Sequence, residues 1–538
     1  MSTRAGSQFR SLSLAIGWAR RFARLATLPA MASAFGVELA PSGLPADKVW
    51  HQIEIVDAQT SRGVPLVELE TVDHLRLVTD SAGRVAFREP GLMNQTVFFF
   101  VRSHGYELPP DSFGMVGRRI ETCPGGKTVL EVRRLNVGER LYRITGAGIY
   151  RDSVLLGEPV PLAEPLLNAQ VLGQDGAQTA IYRGKVYWFW GDTARLSYPL
   201  GNFRTTGAVS DLPTSGGLNP ADGVNLRYFT GADGFAKQMC PFEPRDGLVW
   251  MDGLLALSDE TGRERLAAHF MRLKGLGEML EHGLAIFNDE KQEFDRLATF
   301  KFEDQWQCPR GHASRHREED QEFFYFCTPF PNVRVEADLP SLLDPASYEA
   351  WTCLADGSEA DPKKARLQRD RDGRLVYRWT AKAPPVGPKE EQEFIQAGLM
   401  EPAEAWFLPL DVESGKQVQM HSGSVRWNPW RKRWILIGVQ IGGDKSFLGE
   451  VWYAEAPQAV GPWRRTCKIV THNRYTFYNP VHHDFFDEAD GRLIYFEGTY
   501  ASTFSGNPDA TPRYDYNQIM YRLDLSDPRL KGVREQSS

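Results

Sequence analysis

Two aspartates, Asp175 and Asp192, stand 17 residues apart in the segments Leu172-Gly-Gln-Asp-Gly-Ala-Gln178 and Lys185-Val-Tyr-Trp-Phe-Trp-Gly-Asp-Thr193. The residues between them read as a strand, a tight turn and an aromatic strand, so both carboxylates come to neighbouring strands of one sheet. Such a pair suits the cleavage of a glycosidic bond. One carboxylic acid protonates the leaving oxygen, and one carboxylate acts as base or nucleophile across the bond. Each aspartate taken alone would also serve to cap a turn through backbone N–H groups. Glu497, in Tyr495-Phe-Glu-Gly-Thr499, follows an apolar strand and is the third catalytic candidate.

Histidines recur where strands begin: Gly311-His312-Ala, Met420-His421-Ser-Gly-Ser-Val-Arg426 and Tyr478-Asn-Pro-Val-His-His-Asp484. His312, His421 and His482 are candidate substrate ligands, together with Gln178, Arg426, Asn479 and Tyr516. Neutral imidazoles from several strands could instead hold a divalent ion. Otherwise no cofactor is expected. Arg272 and Glu278 are further substrate-binding candidates, since a guanidinium clamps a hydroxyl or carboxylate bidentately. Solvated surface charge is the plainer alternative for Glu278. No P-loop, dinucleotide fingerprint, HExxH or GxSxG is present, which sets those enzyme classes aside.

The elements that must position these groups are strands. Over about residues 45–140 short alternating runs such as His51-Gln-Ile-Glu-Ile-Val56 and Thr96-Val-Phe-Phe-Phe-Val101 predict a small β-sandwich. From about residue 165 to 525 longer strand pairs rich in Trp, Tyr and Phe follow, among them Phe323-Phe-Tyr-Phe326 and Arg433-Trp-Ile-Leu-Ile437. Divided by five, this stretch gives about 70 residues per unit, the size of a propeller blade with its loops. The expected fold is therefore all-β: a five-bladed β-propeller preceded by a β-sandwich, with an insertion at residues 335–400 where Pro-, Lys- and Asp-rich sequence interrupts the strands. In a propeller the innermost strands face a central funnel, where polar groups from distant blades converge.

The Gly-x-Asp-Gly strand, turn, aromatic strand and Gly-Asp-Thr order resembles the opening blade of five-bladed glycoside hydrolase-like families, especially the group that includes bacterial endo-D-arabinanases. It is more distantly similar to the arabinanase, fructosidase and neoagarobiose-hydrolase clans. The resemblance implies Asp175 and Asp192 as the catalytic pair and a carbohydrate as substrate. The segment from Gly63-Val-Pro-Leu-Val-Glu-Leu through Thr79-Asp-Ser-Ala-Gly-Arg-Val-Ala-Phe87 resembles transthyretin-like or carboxypeptidase-regulatory-like accessory domains, which implies a structural role there.

Composition narrows the remaining classes. The net charge is −7 with no basic block, so nucleic acid is not an expected partner. The six cysteines show no metal-site spacing and read as buried hydrophobes, with one or two disulfides if the protein is secreted. Residues 1–34 contain five arginines and no acid, then a short apolar stretch closing on Ala32-Ser33-Ala34, and read as an export signal or, alternatively, an organelle presequence. No later stretch is long and apolar enough to span a membrane. The sequence is silent on oligomeric state. The function expected is a glycoside hydrolase; a polysaccharide lyase working through His or Tyr with Arg or a metal, and a non-catalytic glycan-binding propeller, are the alternatives.

Overall fold

The computed structural model describes residues 49–534 apart from Phe203 and Leu276. The leader expected at residues 1–34 lies outside the described residues. The chain is mostly β, and its longest described α-helix, Pro388–Gln396, has nine residues. No helix among the described residues is long and apolar enough to cross a membrane.

The first strands form two four-stranded sheets. In one, His51–Asp57 lies between Arg84–Phe87 and Lys127–Arg134; in the other, Thr96–Arg102 lies between Glu68–Thr71 and Gly117–Glu121. Alternation sets which face is buried: Val97, Phe99 and Val101 point inward, while Thr96 and Arg102 at the strand ends are exposed. Ile53, Ile55, Val85 and Phe87 of one sheet share a core with Leu69, Phe99 and Ile120 of the other.

Five further sheets of four or five strands follow, called here sheets 1 to 5 in chain order, and the strands Ala177–Tyr182, Leu248–Ser258, His312–Glu318, Met420–Asn428 and Thr476–His482 are called their first strands. Each first strand lies at the edge of its sheet, and the next strands add antiparallel by hairpins. The last sheet breaks sequence order. Its outer strand is Glu139–Arg143, drawn from before sheet 1 and paired with Asn517–Asp524.

Packing runs in a circuit. Phe189 and Val209 of sheet 1 meet Phe270 and Phe287 of sheet 2; Leu255 and Leu284 meet Phe324 and Phe326 of sheet 3. Phe323 and Tyr325 meet Leu436 and Trp452 of sheet 4; Ile437 and Tyr453 meet Phe496 and Tyr521 of sheet 5. Tyr142, Tyr495 and Met520 of sheet 5 then meet Trp188 and Trp190 of sheet 1. A sheet covered on both faces needs apolar side chains at consecutive positions rather than alternate ones, which accounts for Phe323-Phe-Tyr-Phe326.

Two expectations are revised. Residues 335–400 do not simply interrupt the strand pattern: Glu349–Thr352 and Arg378–Thr380 extend sheet 3 to five strands. Around them Cys353, Leu354, Val386 and Phe394 build a separate small core. No disulfide forms. All six cysteines are free, and five of them are buried as small hydrophobes.

Candidate active site

The first strands of all five sheets line one cavity of about 580 Å³. Asp175, Gly176 and Gln178 come from the start of sheet 1, Trp250 and Asp252 from sheet 2, His312 from sheet 3, His421 and Ser422 from sheet 4, and Tyr478 and Asn479 from sheet 5. A second cavity of about 600 Å³ is lined farther along the same strands by Thr179, Leu254, Ser314, Arg426 and Asp484. The first of these cavities thus holds Asp175 and Asp252, and the second holds Asp484.

Asp175 is held by sheet 5. The N–H of Gln174 donates to the Tyr516 carbonyl at 3.0 Å, Gln518 Nε2 donates to the Gln174 carbonyl at 2.6 Å, and the N–H of Gly176 donates to Thr499 Oγ1 at 2.8 Å. Gly176 has φ +42°, and a Cβ on it would lie 2.9 Å from Asn479 Nδ2, so any side chain there would collide with a cavity residue. The two aspartates are bridged through their backbones. The N–H of Asp175 donates to the Asp192 carbonyl at 3.0 Å, and that of Gly191 to the Asp175 carbonyl at 2.8 Å.

Their side chains differ in support. Asp192 Oδ1 accepts from Trp250 Nε1 at 3.2 Å. Asp175 Oδ1 is buried and receives no hydrogen bond, although the Tyr478 hydroxyl lies near enough to ease its charge. Burial, and then the neighbouring Asp192 charge, push the Asp175 carboxyl up to about 7. Burial pushes Asp192 up to about 6 against the opposing pull of Trp250. Asp252, whose Oδ1 accepts from the N–H of Gly311 at 3.0 Å, is raised by burial to about 6.

The other residues singled out from sequence divide clearly. Gln178, His312, His421 and Asn479 line the cavity with Asp175. Burial drops the His312 imidazole to about 3, helped by the Arg426 charge, so it is neutral at physiological pH. His421 is exposed to the cavity. Tyr516 adjoins both aspartates, whose charges help raise its phenol after burial. Arg426 lies in the second cavity, 3.7 Å from Asp484.

Glu497, His482, Arg272 and Glu278 do not line the cavity. Glu497 is fully buried on the second strand of sheet 5 and bonds His483 Nε2 at 2.8 Å, so its carboxylate reaches no solvent. His482 is likewise enclosed and meets Asp487 at 2.8 Å. Arg272 pairs with Asp246 at 2.8 Å and Glu281 at 3.0 Å, and Glu278 is an exposed residue 3.8 Å from Lys274. Among the described residues no three His, Cys, Asp or Glu side chains gather as a metal site would require.

Sequence reasoning missed Asp252, Trp250 and Tyr478. A signal was present. Asp252-Gly253 repeats Asp175-Gly176, each Asp-Gly lying in or at the start of the first strand of its sheet and each glycine at positive φ, +57° for Gly253 and +42° for Gly176.

No family model matches the chain, and no curated protein matches it. Solved structures do match. A family 43 glycoside hydrolase, YxiA from Bacillus licheniformis, is 10% identical with a TM-score of 0.33, the match covering 65% of this chain and 71% of that one. An enzyme of the same family from Xanthomonas citri, complexed with xylose, is 12% identical with a TM-score of 0.31 over 66% of this chain and 88% of that one. An exo-β-1,3-galactanase from Phanerochaete chrysosporium is 9% identical with a TM-score of 0.32 over 65% of this chain and 60% of that one.

Proposed function

We propose that this chain is a glycoside hydrolase that cleaves a poly- or oligosaccharide with Asp175 and Asp192. The observation that carries the reading is the backbone-bridged pair, Asp175 lining the cavity and Asp192 bonded to the cavity residue Trp250, with their carboxyls raised to about 7 and about 6. Two carboxyl groups whose affinities for protons are separated by their surroundings divide the acid and base roles between them. Asp175, the harder to ionise, gives its proton to the glycosidic oxygen as the C–O bond breaks. Asp192, ionised first, takes a proton from an attacking water or itself bonds the anomeric carbon; the spacing of the carboxyls on the bound sugar decides which. Neutral His312, His421, Gln178 and Asn479 then supply hydrogen bonds to hydroxyls.

The architecture fits this reading as a five-bladed β-propeller. The circuit of five sheet-to-sheet cores supports it, as does the closing of sheet 5 by a strand from before sheet 1. The two preceding sheets with their common core are the β-sandwich accessory domain, and the protein acts as an exported enzyme on a carbohydrate of the kind that the arabinanase resemblance suggests. No cofactor takes part in this scheme.

The test is a screen of the purified protein on plant, algal and bacterial polysaccharides, with and without chelator. Asp192→Asn is expected to lower cleavage by about 10²- to 10⁴-fold while circular dichroism stays unchanged. An unaltered rate would sink the assignment. Products absorbing as unsaturated uronates would establish a lyase instead.

A further inference from the structure

The second cavity, of about 600 Å³, shares no lining residue with the carboxylate cavity and lies within the roughly 300–1,000 Å³ of small-molecule sites. Its charges do not balance. Arg315, Arg317 and Arg426 line it against one carboxylate, Asp484. A second carboxylate, Glu322, bonds Arg315 and lies 3.7 Å from Arg317, so three guanidiniums meet two acids.

Arg426 is the informative one. It stands on the first strand of sheet 4 and is 8% exposed, so water does little to solvate its charge. Its Nη1 donates to the Val425 carbonyl at 3.0 Å. Nε and Nη2 donate to no group among the described residues. Asp484, 3.7 Å from Nε, is too distant for a hydrogen bond, and its side chain is half-exposed. Neither nitrogen is sealed in the interior as the Nε of Arg431 is, and this edge of the guanidinium faces the cavity that Arg426 and Asp484 both line. The Nε and Nη2 edge is one that can take both oxygens of a carboxylate in two parallel N–H···O bonds. Apolar surface lies in the same cavity: Ile181 and Trp427 are 41% and 43% exposed, and the Trp427 ring is braced edge-on by Trp434 at 5.8 Å between centroids.

We propose that the second cavity is a binding site for a small organic acid with one carboxylate on a ring. The carboxylate lies on the Nε and Nη2 edge of Arg426, and the ring lies against Trp427. Arg315 and Arg317 add attraction for the negative charge, while Asp484 opposes it and can turn toward solvent as the acid enters. A sugar acid and an aromatic acid present the same chemistry to this site. Neither requires cleavage of a glycosidic bond, so the proposal stands apart from the hydrolase reading.

The probes are glucuronate and benzoate, the neutral methyl ester of each, and inorganic phosphate, titrated calorimetrically into the full chain. At least one of the two acids is expected to bind, and which one does so separates the two sources. Its ester and phosphate should bind about ten-fold more weakly, and Arg426→Gln should cost the acid a similar factor. Asp484→Asn, which removes the opposing charge from a half-exposed side chain, should tighten binding by about three-fold, and it serves alone if Arg426→Gln fails to fold. Asp192→Asn should leave the affinity unchanged. Binding of neither acid, equal binding of ester or phosphate, or an affinity that Arg426→Gln leaves intact would overturn the site. So would weaker or unaltered binding in Asp484→Asn, or a loss in Asp192→Asn as large as that in Arg426→Gln, which would put the acid in the carboxylate cavity.

Discussion

At the scale of single residues, the proposed chemistry depends on how their surroundings separate two similar carboxyls. Asp175 and Asp192 are both raised by burial, Asp175 further by the Asp192 charge, while Asp192 Oδ1 accepts from Trp250 Nε1 at 3.2 Å, which pulls it down. A donor favours the charged form. Activity should therefore rise with pH as Asp192 ionises near about 6 and fall as Asp175 loses its proton near about 7, a narrow bell. Trp250→Phe removes the donor and keeps the ring. Its acidic limb is expected to move upward toward the basic limb, lowering the maximum and narrowing the bell, as read from kcat/KM against pH on a neutral substrate. A displaced basic limb with a fixed acidic one would reverse the two roles.

At the scale of elements, what matters is which strand of a sheet a residue occupies. Asp175, Asp252, His312, His421 and Asn479 belong to first strands or the turns entering them, and all line the cavity. Glu497 and Arg272 were equally plausible by type, but they lie on second strands, between neighbours on either side. Local sequence distinguishes apolar from polar positions. It does not number a strand within its sheet, so Glu497 and Arg272 were legible as polar groups and not as structural ones. The doubly buried Phe323-Phe-Tyr-Phe326 and the explicit turns made the strands themselves legible, whereas the strand closing sheet 5 was not, because its partner lies more than 370 residues away, Arg143 against Ile519. That closure makes Glu139–Arg143 a sensitive strand. Tyr142, paired with Met520, is 1% exposed and donates to the Pro220 carbonyl at 2.7 Å. Tyr142→Phe is expected to cost about 1 kcal/mol through that bond. Tyr142→Pro, which also breaks the ladder, should cost about 3 kcal/mol or more. Urea midpoints compare the two, and similar midpoints would mean that the strand contributes little to closure.

At the scale of the whole molecule, buried acids and buried imidazoles make opposite demands on pH. Asp175 and Glu391 are raised to about 7, and Asp192 and Asp252 to about 6, so the folded chain holds protons that the unfolded chain has released. Their contribution to stability is complete below the unfolded carboxyl value near about 4 and is lost as pH rises through about 6 to 7. His269, His312 and His472, lowered to about 3 mainly by burial, do the reverse: the unfolded chain takes up protons near about 6.5 that the folded chain refuses, so stability falls with acid. Between about pH 4 and 6 the two slopes oppose each other, which makes the unsubstituted protein a poor reporter of either. Asp252→Asn isolates one of them, because the amide oxygen can still accept from the N–H of Gly311 while the ionisation disappears. At about pH 8, where the native carboxylate is charged in a poorly solvated site, the variant is expected to melt higher by about 1–3 °C. As pH falls through about 6 the protonated native aspartic acid becomes equivalent to the amide, and the two melting curves should converge by about pH 4. Melting temperatures across that range decide the matter: a gap that stays constant, or one that opens toward acid, would mean that Asp252 is not held above its ordinary value.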